Sequence, residues 1–404
     1  MPLTGEKYTQ LNQPEATTDG ADHGRWIACD ESGWDGEQLI GRKRRFLVYA
    51  SVAVDDIEAA ALIQQLRDQA GIRQARELKF DLFKNRTNRW SLLQQLWEPG
   101  GALHDRCSVY VVDKEYAAAA KVIDLVLEEK EHDEGGNLYA DGKARALART
   151  LALEGPRALR GTLFQELMSA FVTLASRRGT SRQDEVLGVF VAALDQAWAA
   201  STRKAVTALL ARLRGARNYA AFHEDPADPV FPQLEMLIPA VAQTARRWDR
   251  RVGRVSVLTD EQQMLTDDAL RTVHEYACAP VGMTLLTRER GADVAAVVRG
   301  SSVDHPSIQL ADLLAGATAA VAERHEGNPS DAGEGLWPVI TSFVEIALFR
   351  WRIRQPRPGA EPGSRWAAGR RLEPVRQAAG GRVRRRCRCR RRRCRRPSRS
   401  RVRR

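Results

Sequence analysis

The spacing of apolar residues changes several times along the chain, and the changes mark its elements. Trp26-Ile27-Ala28-Cys29 runs straight into Asp30-Glu31-Ser32-Gly33. A short apolar run closed by turn residues reads as a buried strand that ends abruptly. Neighbours on a strand point to opposite faces, so one of Asp30 and Glu31 is expected to aim into a site and the other away. Gly33 then allows a close backbone approach. Residues 45–54 form a longer run of β-formers. The polar, Gly-bearing link 34–43 predicts a hairpin loop between these two strands.

Asp55-Asp56 caps a helix over 57–70. Residues 90–97 form a second helix, stopped by Pro99-Gly100. A third strand covers 106–112, and a strong helix follows over 115–131, ended by Glu134-Gly135-Gly136. Residues 138–248 are Ala-, Leu- and Arg-rich with helical periodicity, broken near Gly155-Pro156, Gly179 and Asp225–Pro232. Phe164, Leu167, Met168, Phe171 and Leu174 fall on one helix face, as a core stripe would. The strand pattern returns at 253–260, closed by Asp260. A helix over 266–277 follows, capped by Thr266. Short strands are predicted at 281–287 and 294–298, a helix over 307–323 opened by His305-Pro306, and an amphipathic helix over 336–351.

This pattern predicts an α/β protein with a mixed sheet flanked by helices and a large all-helical insertion. The organisation is a polar lead over 1–24, a core in two parts over 25–137 and 249–353, the helical insertion 138–248 and an Arg-rich tail 354–404. The insertion also offers a surface for a protein partner.

Net charge modifies this picture less than its value suggests. The chain carries +12 over 404 residues. Residues 351–404 hold 22 Arg against Glu361 and Glu373, a charge of +20, which leaves 1–350 at −8. The basic character therefore belongs to the tail. A polyanion-binding arm and a shifted reading frame in GC-rich DNA share that composition. Any nucleic acid met by the acidic body needs local basic patches, for which Arg42-Lys43-Arg44-Arg45 and the Arg246–Arg254 region are candidates. Cys29, Cys107 and Cys278 are scattered singles, expected as buried thiols in a reduced, cytoplasmic setting. No apolar run is long enough for a membrane span.

The candidate chemistry lies in acids at repeated structural positions. Asp30 and Asp260 each close an apolar strand, and open α/β sheets place their sites at the carboxyl ends of strands. Gln309 and Asp312 lie three apart on one helix face, flanked by Ile308, Leu310, Leu313 and Leu314. A carboxylate among such residues needs a metal or a partner. Ala311, Ala315 and Gly316 let that helix sit close to its neighbours. Glu77, with Lys79 beside it, adds a fourth acid. Plainer roles stand beside these: an Arg pair for Asp312, a helix cap for Asp260, and surface positions for Glu77 and Lys79. The seven His show no metal spacing.

Asp30-Glu31-Ser32-Gly33, Glu77-Leu78-Lys79, Asp260 and Gln309-Leu310-Ala311-Asp312-Leu313-Leu314, in that order, resemble the domain-of-unknown-function 3800 family, which is similar in fold to the ribonuclease H superfamily. The resemblance covers roughly 26–115 and 250–325. It implies that Asp30, Glu77, Asp260 and Asp312 hold two divalent ions, Mg²⁺ or Mn²⁺, in a nuclease-like phosphodiester hydrolase acting on RNA or DNA. Mg²⁺ takes hard oxygen ligands, and a pair of ions activates water and stabilises the leaving oxygen. Lys79 is then expected to meet a substrate phosphate, and Gln309 to orient Asp312 or a bound water. The rival expectation is a non-catalytic nucleic-acid or protein binding module on the same fold; a third is phosphoryl chemistry on nucleotides or small phosphates.

Overall fold

The computed structural model describes residues 24–41, 44–139, 142–176, 183–221, 234–280, 290–327 and 344–348. All of them belong to one compact unit, Met1–Trp351.

Six strands form one mixed sheet. They are β1 (Arg25–Ser32), β2 (Phe46–Val52), β3 (Cys107–Asp113), β4 (Val255–Asp260), β5 (Val294–Gly300) and β6 (Val344–Leu348), in the order β5-β4-β1-β2-β3-β6. β2 runs antiparallel to both β1 and β3, while β4 and β5 run parallel to β1, and β6 runs parallel to β3. The chain leaves β1 through Gly33 at φ 83°, where a Cβ would strike the Phe46 carbonyl. Only glycine fits both demands.

Helices cover both faces. On one lie α1 (Asp56–Ala70), α2 (Thr87–Trp97) and α11 (Pro306–Gly327). This layer meets Ala28, Phe46, Val48, Ala50 and Leu258. α11 is apolar nearly all round, as a buried helix should be, and it packs on β1 and β2. On the opposite face, α9 (Leu237–Val252) and α10 (Asp267–Cys278) meet Ile27, Cys29, Tyr49, Val255 and Val257. Successive β1 side chains thus enter opposite layers, the period of two that a strand sheathed on both faces requires. Trp248 Nε1 donates to Ser51 Oγ at 2.8 Å, pinning α9 to the sheet centre.

A third cluster joins Leu47 and Val112 to α3 (Lys114–Val122), the π turn after it, α5 (Lys143–Ala158), α6 (Leu163–Ser176), α7 (Gln183–Ala200) and α8 (Lys204–Gly215); the short exposed helix α4 (Glu129–Asp133) lies outside it. The stripe Phe164, Leu167, Met168, Phe171 and Leu174 is buried there, as its spacing predicts. α9 lies within the sequence range assigned to the insertion, yet it covers the sheet, so the inserted helices end before Leu237.

Three local expectations differ from the fold. The helix expected over 115–131 is interrupted by a π-helical turn at Ile123–Glu128. α5 continues through Gly155-Pro156 to Ala158. Pro156 loses only its own N–H bond near the helix end, and Gly155 gives room to the Phe164 ring. Within the helix expected over 336–351, Val344–Leu348 is strand β6, whose Val and Ile suit a β partner for β3. The strand expected at 281–287 and the breaks at Gly179 and Asp225–Pro232 lie outside the described residues. No helix among the described residues is long and apolar enough to cross a membrane.

Candidate active site

β1 and β4 are parallel neighbours in which Cys29 pairs with Thr259. Asp30 and Asp260 therefore follow side by side as the strands run out. Asp30 shares the face of Ala28 and Asp260 that of Leu258, both in the layer capped by α11. α11 brings Asp312 over this edge. Asp30 is 4% exposed. Burial first, then the charges of Glu31, Asp312 and Asp260, hold its carboxyl well above the ordinary range. Burial also pushes Asp312 up to about 6 and raises Asp260, although Lys79 works against both shifts. Three acids from two strands and one helix are thus electrostatic neighbours.

Glu31 departs from expectation. Strand alternation puts it on the opposite face from Asp30, yet burial and the charges of Asp260 and Asp312 push it up to about 7. Its Oε1 accepts from Gln262 Nε2, on the segment after β4. Its Oε2 is buried with no hydrogen-bond donor. At the last turns of a strand a long side chain can reach past the sheet edge, so alternation does not separate the two acids there. Glu31 is a functional candidate that the alternation rule missed. Its place between Asp30 and Ser32 at a strand end was the available signal.

Glu77 and Lys79 come from the segment between α1 and a 3₁₀ turn at Phe80–Leu82. They pair at 3.2 Å, with Lys79 nearly half exposed. The Ser302 hydroxyl, 2.8 Å from Glu77 Oε2, and then Lys79 hold Glu77 below the usual carboxylate range. Burial lowers Lys79, but Glu77, Asp312 and Asp260 raise it further, so it remains a cation. The segment is fastened to α11. Phe80 N donates to Asp312 Oδ2 at 2.7 Å and Leu78 N to Gln309 Oε1 at 2.9 Å.

Gln309 is 5% exposed, and its Nε2 donates to the Ser302 carbonyl at 2.6 Å. Both ends of its amide are engaged. Gln309, expected to orient Asp312 or a bound water, forms a strut between α11, the Glu77 segment and the β5–α11 loop. Sequence reasoning also missed Ser302, whose amide donates to Asp260 Oδ1 at 3.2 Å.

The plainer roles for two acids fall away. The cap of α10 is Thr266, not Asp260, and the cation acting on Asp312 is Lys79, with no arginine pair among the described residues. Among the described residues no three acids, His or Cys stand in ready coordination geometry. The chemistry of the donor set nonetheless fits a divalent cation. It is all carboxylate oxygen, it is mutually repulsive when ionised, and it includes the orphaned Glu31 Oε2. No family model, curated protein or solved structure matches the chain.

Proposed function

We propose that the chain is a divalent-metal-dependent phosphodiester hydrolase of nuclease type, built on a ribonuclease H-like sheet. The observation that carries this reading is the meeting of Asp30, Asp260 and Asp312 at the carboxyl ends of parallel strands, with burial raising all three and neighbouring cluster charges adding to the rise at Asp30 and Asp312. Support for the fold comes from the order β5-β4-β1-β2-β3, with β2 the one antiparallel member beside parallel β1, β4 and β5.

Asp30, Glu31, Asp260 and Asp312 would hold Mg²⁺ or Mn²⁺, with Glu77 completing the set beside Asp260. Ions held there would supply positive charge that favours deprotonation of an attacking water and offsets charge on the leaving oxygen. The chain's own groups set the scene. The acids keep the site anionic, Lys79 offers an exposed ammonium to a phosphate oxygen, and the buried floor beneath α11 limits water behind Asp30.

Titration with Mg²⁺ and Mn²⁺, read by thermal unfolding and by cleavage of single-stranded, double-stranded and hybrid RNA and DNA beside free nucleotides, tests the reading. Stabilisation together with cleavage of polymers is expected. A protein that neither gains stability with either ion nor cleaves any substrate would instead be a binding module.

A further inference from the structure

Ser302 sits at the junction of the parts that build the site. Its amide bonds Asp260 on β4, its hydroxyl bonds Glu77, and its carbonyl receives Gln309 from α11. Gln309 passes the connection to Leu78, one residue beyond Glu77. Ser302 is 6% exposed; its bond to Gln309 is buried, and those to Asp260 and Glu77 are partly buried.

The acids differ in how they are held. Asp30, Glu31 and Asp260 hang from strands, and Asp312 hangs from a packed helix. Their places are set by the sheet and by α11. Glu77 belongs to no strand or helix. A carboxylate on a loop keeps its place only through its bonds, and Glu77 has two such partners. One is Lys79, whose ammonium is 48% exposed and free to follow the carboxylate. The other is the buried Ser302 hydroxyl, which shares its residue with the bond to Asp260.

We propose that Ser302 is a positioning residue that divides the site in two: its hydroxyl holds Glu77 beside Asp260, and the second cation depends on that bond while the first, at the strand-end acids, does not. The inference rests on the metal reading above.

Isothermal titration of the full chain with Mn²⁺ at pH 8 reads both affinity and stoichiometry. The wild type should bind two ions. Ser302→Ala should keep the tighter site and weaken the other at least tenfold, so that one ion remains at moderate concentration. Ser302→Thr, which restores a hydroxyl, should recover the second. Glu77→Gln should reproduce the one-ion result with Ser302 in place, and it decides the matter if Ser302→Ala does not fold. Two unchanged ions in Ser302→Ala or Glu77→Gln, equal weakening of both sites, or no rescue by Thr would overturn the role of Ser302 and leave the metal reading standing. No Mn²⁺ uptake by the wild type would remove the metal reading itself, and the inference with it. A single wild-type ion would overturn the division alone.

Discussion

Asp30 and Asp260 occupy adjacent ends of two parallel strands, one step beyond the Cys29–Thr259 pair. Backbones in a sheet lie ~4.8 Å apart. Two carboxylates placed this way, on the face closed by α11, cannot both ionise cheaply in the metal-free chain. The sheet therefore builds an unfavourable charge arrangement into its own edge. Such an arrangement persists when the rest of the fold outweighs it, and it is relieved by a cation or by a proton.

Removing one charge should separate stability from activity. Asp30→Asn and Asp312→Asn keep the volume and the acceptor oxygen, including the one that receives Phe80 N. Each should raise the melting temperature of the metal-free protein and abolish metal-dependent cleavage. Thermal unfolding with and without Mn²⁺, beside a cleavage assay, checks both halves. Cleavage at the wild-type rate in either variant would remove that residue from the site.

The same charges set a pH dependence of known sign. Burial and Asp260 push Glu31 from 4.5 to about 7, and burial pushes Asp312 from 3.8 to about 6. A carboxyl raised on folding binds its proton more tightly in the native chain, so its penalty is absent below the unfolded value. The penalty grows through the window and is complete above the folded value. Metal-free stability should fall between about pH 4 and pH 7, by ~3 kcal/mol for a group moved as far as Glu31. Glu31→Gln should flatten part of that fall, and saturating Mn²⁺ should reverse it. Denaturant midpoints measured across this range give the answer, and a profile identical in wild type and Glu31→Gln would mean that Glu31 lies outside the cluster.

Much of this site was legible as sequence because three of its acids break an apolar pattern. Asp30 and Asp260 close apolar runs, and Asp312 interrupts the apolar face of a helix, so the cost of burial marked them. Glu77 was harder to read, since it lies on a loop and depends on Ser302, 225 residues away. Ser302 has no signature of its own. A serine in a polar stretch resembles any turn, and only the bond lengths reveal that its amide, hydroxyl and carbonyl are all engaged. Gln309 stood out for its polarity, but its backbone partners at Leu78 and Ser302 lie on other segments and leave no mark in the sequence. The strand β6 was mistaken for a helix because five residues are too few for periodicity to distinguish the two.

His305 supplies a second pH-dependent feature. Its Nδ1 lies 2.7 Å from Asp56 Oδ2, and Asp56 Oδ1 accepts from the amide and hydroxyl of Ser307 at 3.1 and 2.6 Å. The start of α11 is thereby fastened to the start of α1. The bond to Asp56, with the nearby Asp56 and Asp304 charges, raises His305 above its ordinary 6.5. A raised histidine contributes stability that is complete below the unfolded value and is lost as pH rises through the folded one. Both side chains are partly exposed, so solvent screening limits the effect to ~1 kcal/mol or less. His305→Asn keeps a donor without a titrating charge. The stability difference between wild type and His305→Asn should shrink from pH 5.5 to pH 8.5, and a constant difference would show that the charge contributes nothing.

Gly316 tests whether the close seat of α11 matters to the acid it carries. A Cβ at this position would strike the Phe80 ring, and the Phe80 amide is the donor to Asp312. Gly316→Ala should therefore displace Phe80 as well as α11. Overpacking of this kind costs ~1–3 kcal/mol. The stability loss should come with weaker Mn²⁺ binding, because Asp312 loses a fixed partner. Gly188, inside α7, is the control. A Cβ there meets nothing within 4 Å, and a helix interior prefers alanine to glycine by ~1 kcal/mol. Gly188→Ala should leave Mn²⁺ binding unchanged and raise stability, the opposite response to the same added methyl group. Combining Gly316→Ala with Phe80→Ala removes two of the three atoms in conflict, Cγ and Cδ1, and should recover part of the ion binding. Calorimetric unfolding and Mn²⁺ titration of the three variants measure this coupling, and a Gly316→Ala protein as stable as wild type and equally strong in ion binding would show that the helix adjusts without disturbing the site.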